Sequence, residues 1–136
     1  MPRAVPACDP GTDVALRCLI VDDRPSFCEA ARDLLEGQGV TIVGVATSGA
    51  EAIRRVQELR PDVALVDINL GADSGFDLAR WLATDAHGGG PRVILISTHD
   101  ELEFGKLIES SPAVGFLAKT ELSAERIYRL LDRADG

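Results

Sequence analysis

Hydrophobic residues along the chain follow two alternating spacings. Short unbroken runs have the branched composition typical of buried parallel strands. Between them lie longer stretches in which hydrophobic residues recur every three or four positions, as in amphipathic helices. The unbroken runs occupy 16–21, 40–46, 62–67, 92–97 and 114–119. The helical stretches occupy 26–39, 48–59, 75–85, 100–111 and 121–132. The pattern predicts five strands that alternate with five helices.

This alternation predicts an α/β fold of the doubly wound type. Strands that alternate with helices lie parallel and are joined by right-handed crossovers, so helices cover both faces of one five-stranded parallel sheet. Ser48 and Glu51 have the spacing of a capping box at the start of the second helix. We expect one domain over 15–133, preceded at 1–14 by a loose tail because of its Pro, Gly and Asp content.

Charge and composition narrow the possible functions. The 136 residues carry a formal net charge of −8, which opposes the non-specific binding of nucleic acid. No hydrophobic run approaches the ~18 residues of a membrane span, and the N-terminus lacks the apolar core of a signal peptide. Cys8, Cys18 and Cys28 fit no zinc spacing and are expected to be small hydrophobic residues. We therefore expect a protein of the reducing cytoplasm.

Polar side chains stand at the carboxyl ends of four predicted strands. These residues are Asp22, Asp23, Asp67, Ser97 and Lys119. The carboxyl ends of parallel strands lie on one edge of the sheet, where open α/β folds bind their ligands. Each residue alone has a simpler explanation, as a turn residue, a helix cap or a solvated charge. Their recurrence at four strand ends favours one shared pocket.

The residue types in this pocket favour phosphoryl chemistry with a metal ion. Three neighbouring carboxylates repel one another, and a divalent cation removes that repulsion. All-oxygen donors favour Mg²⁺, or Mn²⁺, over zinc. A lysine and a serine hydroxyl are suited to holding phosphoryl oxygens, and a carboxylate is a suitable nucleophile.

With these residues the sequence resembles the receiver domain of bacterial two-component response regulators. The resemblance is carried by LIVDDRPSF, ALVDINLGADSGFDLA, VILISTHDE and VGFLAKTELS, and extends over about 16–132. The combination is specific, because it joins an acidic pair, an aspartate eight residues before Gly75, a serine and a lysine. The resemblance implies a flavodoxin-like sheet with strand order 2-1-3-4-5, as in chemotaxis regulators.

The resemblance also implies a role for each pocket residue. Asp67 would be the phosphoacceptor, Ser97 would hydrogen-bond the phosphoryl group, and Lys119 would pair with it. Asp23 and Asp67 would be the carboxylate ligands of Mg²⁺, with Asp22 acting partly through water. The backbone carbonyl of Asn69 would complete the metal site. The motif leaves Mn²⁺ possible as the cofactor.

By the same resemblance, phosphorylation would change one face of the domain. Ser97 and Phe116 would be the switch residues. The responding face would consist of the predicted helix at 100–111, the fifth strand and the last helix. A downstream protein or a second copy of the chain would bind there.

Some positions depart from the family pattern. Leu70 and Gly71 stand where the family often has Met-Pro, and glycine leaves this loop less rigid. Thr120 replaces the proline that commonly follows the lysine, so a trans peptide bond is expected. Thr98 replaces a smaller residue. Together with Asn69 and His99, it is expected to tune dephosphorylation.

The function that this resemblance implies is a phosphorylation-activated switch. The donor would be the phosphohistidine of a histidine kinase or phosphotransfer protein, and the chain would catalyse its own phosphorylation and dephosphorylation. We expect no output domain in this chain, which fits either a single-domain regulator or the receiver of a longer protein, and no direct binding of nucleic acid by it. One alternative is a Mg²⁺-dependent phosphatase with an aspartate nucleophile. Another is an interaction module that works without phosphorylation.

Overall fold

The computed structural model describes residues 16–70, 73–83, 91–97 and 113–135. Five parallel strands form one sheet with the order β2-β1-β3-β4-β5. The strands are β1 Arg17–Val21, β2 Thr41–Ala46, β3 Val63–Asp67, β4 Arg92–Ser97 and β5 Gly115–Ala118. The predicted fold class and strand order are therefore confirmed.

Four helices lie within the described residues. They are α1 Pro25–Gly37, α2 Gly49–Leu59, α3 Gly75–Ala83 and α4 Ala124–Asp135. The predicted helix at 100–111 and the predicted tail at 1–14 lie outside the described residues. A short antiparallel pair, Asn69–Leu70 with Asp73–Ser74, precedes α3 and was not predicted. None of the helices described combines the length and apolar content needed to cross a bilayer.

Helices cover both faces of the sheet, as the doubly wound fold requires. Because side chains alternate along a strand, successive residues of β1 enter two separate cores. Cys18 and Ile20 pack with α1 and α4, whereas Leu19 and Val21 pack with α2 and α3. All five residues of β3 are buried, in keeping with its central position.

A side-chain cap fixes where α2 begins. Ser48 caps α2, with its hydroxyl accepting the Glu51 N–H at 3.2 Å. The Glu51 carboxylate reaches back to the N–H of Thr47 at 2.7 Å, one residue earlier than in a standard capping box. The hydrogen bonds from the Thr47 N–H and hydroxyl lower the pKa of the Glu51 carboxyl group.

The last helix begins later than predicted. A 3-10 turn occupies Lys119–Glu121, and α4 starts at Ala124 instead of at residue 121. Gln38, just beyond α1, accepts the Ala124 N–H through its side-chain oxygen at 2.6 Å. This contact joins the end of α1 to the start of α4, on the same side of the sheet. The 3-10 turn between β5 and α4 carries Lys119 at the carboxyl edge of the sheet.

Candidate functional site

Three carboxylates meet at the carboxyl edge of the sheet. Asp22 follows β1 and is fully buried, Asp23 beside it is exposed, and Asp67 at the end of β3 is 5% exposed. One oxygen from each lies within 4.8 Å of the other two. The neighbouring strands β1 and β3 therefore bring these side chains together, because parallel strands end at one edge of the sheet.

Asp22 is held from several sides. Its N–H donates to the Ala46 carbonyl at 3.0 Å, which ties it to β2. Its Oδ1 accepts the N–H of Arg24 at 2.8 Å, and its carbonyl accepts the Cys28 thiol at 3.4 Å. These bonds connect Asp22 to the beginning of α1, so its carboxylate has a fixed direction in the pocket.

Lys119 provides the cation that faces the buried carboxylates. Its Nζ lies 2.5 Å from Asp22 Oδ2 and 3.2 Å from Asp67 Oδ2, and its side chain is only 7% exposed. Only the Asp67 contact has hydrogen-bond geometry; the shorter approach to Asp22 is an ion pair without that alignment. One ammonium thus bridges two carboxylates, and three carboxylates with one lysine leave the cluster net negative.

An aromatic ring borders the same lysine. The Phe27 ring centroid lies 4.3 Å from Lys119 Nζ, the distance of a cation–π contact. Phe27 also lines an open cleft of about 350 Å³ together with Arg24, Ser26, Lys119 and Thr120. The cleft adjoins the pocket on the α1 side and provides a route for solvent toward the lysine.

Ser97 and Phe116 lie on the two strands that complete this edge. Ser97 ends β4, is 1% exposed, and is paired in register with Ala118, directly before Lys119. Phe116, on β5, is half-buried and packs against the core on the α2 and α3 side. Ser97 thus lies at the same edge as the acidic cluster, while Phe116 lies two residues earlier than Ala118.

The segment after Asp67 is held close to the sheet by α3. The Ile68 N–H donates to Ile96 on β4 at 3.0 Å, and the Gly75 N–H donates to the Ile68 carbonyl at 2.9 Å. A Cβ at Gly75 would collide with the Asp67 carbonyl oxygen and lie 2.8 Å from Ile68 Cα. Only glycine permits this approach, which explains the spacing between Asp67 and Gly75 physically.

The donor set fits a hard divalent cation. Carboxylate oxygens from Asp22, Asp23 and Asp67 are close enough to share an ion, and Asn69 lies two residues beyond Asp67 in the short antiparallel pair. Asp23 is exposed, so an ion beside it would keep part of its water, as Mg²⁺ prefers. No sulfur or imidazole belongs to this described cluster, which disfavours zinc.

Some predicted residues lie outside the described residues, and some observed ones were not predicted. Thr98 and His99 belong to the former group, so their tuning role stays a prediction. The Lys119–Thr120 peptide bond is trans, as expected, since the described chain has no cis bonds. Phe27 was assigned only to a helix, because its hydrophobic spacing carries no sign of a contact with Lys119. Its position four residues after Asp23 was the only available signal.

Comparison with known proteins adds a family match. A profile of the response regulator receiver domain matches residues 18–132. The probable transcriptional regulatory protein NarL of Mycobacterium tuberculosis is 34% identical over 122 residues, which cover 89% of this chain and 56% of NarL. The protein-glutamate methylesterase/protein-glutamine glutaminase 5 of Myxococcus xanthus is 35% identical over 118 residues, which cover 85% of this chain and 33% of that protein. The chain thus spans about a third to a half of these relatives.

A solved structure provides the same comparison in three dimensions. The signal receiver domain of the M. tuberculosis NarL protein superimposes with a TM-score of 0.75 at 33% identity. The match covers 91% of this chain and 99% of that domain. The sheet that carries the acidic pocket is therefore similar to that of a receiver domain of known structure.

Proposed function

Because the chain belongs to the response regulator receiver family, we propose that it is a signalling switch that accepts a phosphoryl group on Asp67. The observation that carries the proposal is the bridge formed by Lys119 between Asp67 and Asp22. It joins a buried carboxylate at the end of the central strand to an ammonium group that can shift to the oxygens of a phosphoryl group on Asp67. Receiver domains generally act as such switches, without turnover of a separate substrate.

The proposed reaction begins with attack by the Asp67 carboxylate on the phosphorus of a phosphohistidine. A bond forms between the carboxylate oxygen and phosphorus while the bond from phosphorus to the histidine nitrogen breaks. Lys119 then moves its ion pair from Asp67 to an oxygen of the phosphoryl group. The Ser97 hydroxyl, at the adjacent strand end, donates a hydrogen bond to another oxygen.

We further propose that the acidic cluster binds Mg²⁺ for this reaction. Asp23, Asp67 and the Asn69 carbonyl would be its ligands, and the buried Asp22 would act partly through water. When bound, the ion would offset negative charge on the phosphoryl oxygens. Asp22 keeps its hydrogen bond from the Arg24 N–H and its ion pair with Lys119, and so maintains the shape of the pocket.

The new acyl phosphate would change what the domain binds. It adds negative charge and acceptor oxygens at the end of β3. Ser97 and Phe116 would respond, and the face formed by 100–111, β5 and α4 would bind a downstream protein or a second copy. The donor would be a histidine kinase or phosphotransfer protein in the cytoplasm. The net charge of −8 favours protein partners over nucleic acid for this chain.

Incubation with acetyl phosphate and Mg²⁺, followed by intact-mass measurement, tests the proposal. We expect the wild-type protein to gain one phosphoryl group and Asp67→Asn to gain none. Asp33→Asn is the matched control, because Asp33 is exposed on α1, away from the carboxyl edge. EDTA should prevent the gain. If the wild type gains no mass, an interaction module is favoured, and steady turnover of p-nitrophenyl phosphate would favour a phosphatase.

A further inference from the structure

We propose that Phe27 is a positioning residue that holds the Lys119 ammonium at Asp67 through a cation–π contact. The inference rests on the proposed function, since it assigns Phe27 a part in the phosphorylation of Asp67. It concerns a residue whose hydrophobic character alone would place it in the core.

The surroundings of Lys119 Nζ support this role. An ammonium has three N–H donors and favours surroundings that offset its charge. Nζ donates a hydrogen bond to Asp67 Oδ2 at 3.2 Å and forms an ion pair with Asp22 Oδ2 at 2.5 Å. The Phe27 ring, with its centroid at 4.3 Å, supplies a further partner that attracts a cation yet accepts no strong hydrogen bond.

The position of Phe27 on α1 places its ring beside the lysine at the border of the cleft. Phe27 is half-buried in the first turn of α1, where it packs against the core shared with α4. It also lines the open cleft beside Lys119. The lysine side chain is nevertheless only 7% exposed. The ring therefore covers one side of the ammonium and contributes to its low exposure.

A ring is suited to a lysine that must change partners. During phosphorylation Lys119 has to leave the Asp67 oxygen for a phosphoryl oxygen a short distance away. A hydrogen-bonding partner in place of Phe27 would compete with the phosphoryl group, whereas a π face attracts the ammonium over a range of positions. Phe27 thus limits hydration of Nζ without fixing it to one oxygen.

The first test compares phosphorylation rates of Phe27 variants with acetyl phosphate in saturating Mg²⁺. We expect Phe27→Leu, which keeps apolar bulk but lacks the ring, to be about three- to tenfold slower, the range for losing a partly desolvated cation–π contact. Phe27→Trp should retain a near wild-type rate. We also expect the phosphorylation rate to fall stepwise as Phe27 is replaced by phenylalanines with more fluorine atoms. Fluorine weakens the attraction of the π face for a cation while the packing of the ring is kept.

The second test observes the lysine directly. The chain has only two lysines, Lys106 and Lys119, so selective ¹³C labelling of lysine gives two side-chain signals in an NMR spectrum. The Lys119 Cε protons should be displaced by the Phe27 ring current, with assignment by Lys119→Arg. The displacement should vanish in Phe27→Leu and persist in Phe27→Trp, while thermal unfolding checks that both variants fold.

The outcomes separate this inference from the proposed function. If wild-type protein gains no phosphoryl group at all, the proposed function fails and the inference fails with it. If wild type is phosphorylated but Phe27→Leu and the fluorinated proteins react at its rate, only the inference is overturned. An undisplaced Lys119 signal in the wild type would also overturn it, since the contact would then be absent in solution.

Discussion

Asp22 and Asp23 are adjacent in the chain, yet their carboxylates have different surroundings. Asp22 is fully buried, accepts the Arg24 N–H and pairs with Lys119. Asp23 is exposed and adds a third carboxylate to a cluster in which two carboxylates already outnumber the one lysine. The repulsion that the sequence suggests for both is therefore relieved at Asp22 by partners and persists at Asp23.

We predict that Asn substitutions at these two positions have opposite effects on stability. Without Mg²⁺, Asp23→Asn should raise the unfolding free energy by up to about 1 kcal/mol, because it removes an exposed like charge. Asp22→Asn should lower it by about 1–3 kcal/mol, because Lys119 loses a buried partner while keeping Asp67. Urea unfolding in EDTA measures both. Equal and same-signed changes would contradict the difference in surroundings.

We predict that the two buried thiols make the protein less stable at alkaline pH. Burial raises the pKa of Cys18 from 9.0 to about 12. Burial, followed by the charge of Asp22, raises that of Cys28 to about 11. Above pH 9 the thiols ionise in the unfolded chain but stay neutral in the folded one. The stability present below pH 9 should therefore decline as pH rises through these folded values.

Urea unfolding between pH 8 and pH 11 measures this decline. Cys18→Ala should be less stable at every pH because of the cavity, but its stability should fall less steeply with pH than that of the wild type. Cys8→Ala is a suitable control, since Cys8 lies in the predicted tail at 1–14. If the unfolding free energy of Cys18→Ala fell with pH as steeply as that of the wild type, the decline could not be assigned to ionisation of the Cys18 thiol.

At the scale of elements, the start of α3 determines the position of the loop after Asp67. Gly75→Ala would place a Cβ against the Asp67 carbonyl and Ile68 Cα, both backbone atoms that cannot rotate away. We predict a loss of about 1–3 kcal/mol and slower phosphorylation, because α3 would push the acceptor's backbone. Gly37→Ala is the matched control: a Cβ there meets nothing within 4 Å.

The two glycine variants are compared by thermal unfolding and by acetyl phosphate uptake. Gly37, at the end of α1, should tolerate alanine and gain up to about 1 kcal/mol from its higher helix propensity. Its phosphorylation rate should equal that of the wild type. If Gly75→Ala were as stable and as rapidly phosphorylated as Gly37→Ala, the close approach of α3 would have no part in holding the loop.

Local periodicity was sufficient to predict the strands but not all helix boundaries. The strand at 92–97 was predicted with the bounds that are observed, because an unbroken hydrophobic run is a local signal. The start of α4 is capped by Ser123, whose hydroxyl accepts the Arg126 N–H at 3.2 Å, and by Gln38, whose side chain accepts the Ala124 N–H across 86 residues of sequence. The serine is a local signal, but hydrophobic spacing alone does not register it, so the prediction that rests on spacing begins the helix at residue 121.

In the candidate site, too, some features follow from the sequence and others depend on long-range packing. The convergence of Asp22, Asp67 and Lys119 follows from the rule that parallel strands end at one edge, and it was predicted. The burial of Asp22 beside an exposed Asp23 was not, since both residues have the same chemistry. The ring of Phe27 over Lys119 was also missed, because it depends on how α1 is oriented toward the turn after β5.

At the scale of the whole molecule, metal binding should stabilise the fold. A ligand that binds only the folded state adds about 2.7 kcal/mol at a concentration one hundred times its Kd. We predict that Mg²⁺ raises the melting temperature of the wild type by several degrees. Asp23→Ala should lose most of this rise, because it removes an exposed carboxylate of the acidic cluster.

A protein with a net charge of −8 also gains stability from any cation that screens self-repulsion, so the effect needs a salt control. NaCl at equal ionic strength should stabilise the wild type and Asp23→Ala to the same small extent, since screening ignores the geometry of the pocket. Asp33→Asn removes one negative charge outside the pocket and should keep the full response to Mg²⁺. An Asp23→Ala response to Mg²⁺ as large as that of Asp33→Asn would mean that the ion acts on total charge, and would remove the support for a metal site at the carboxyl edge.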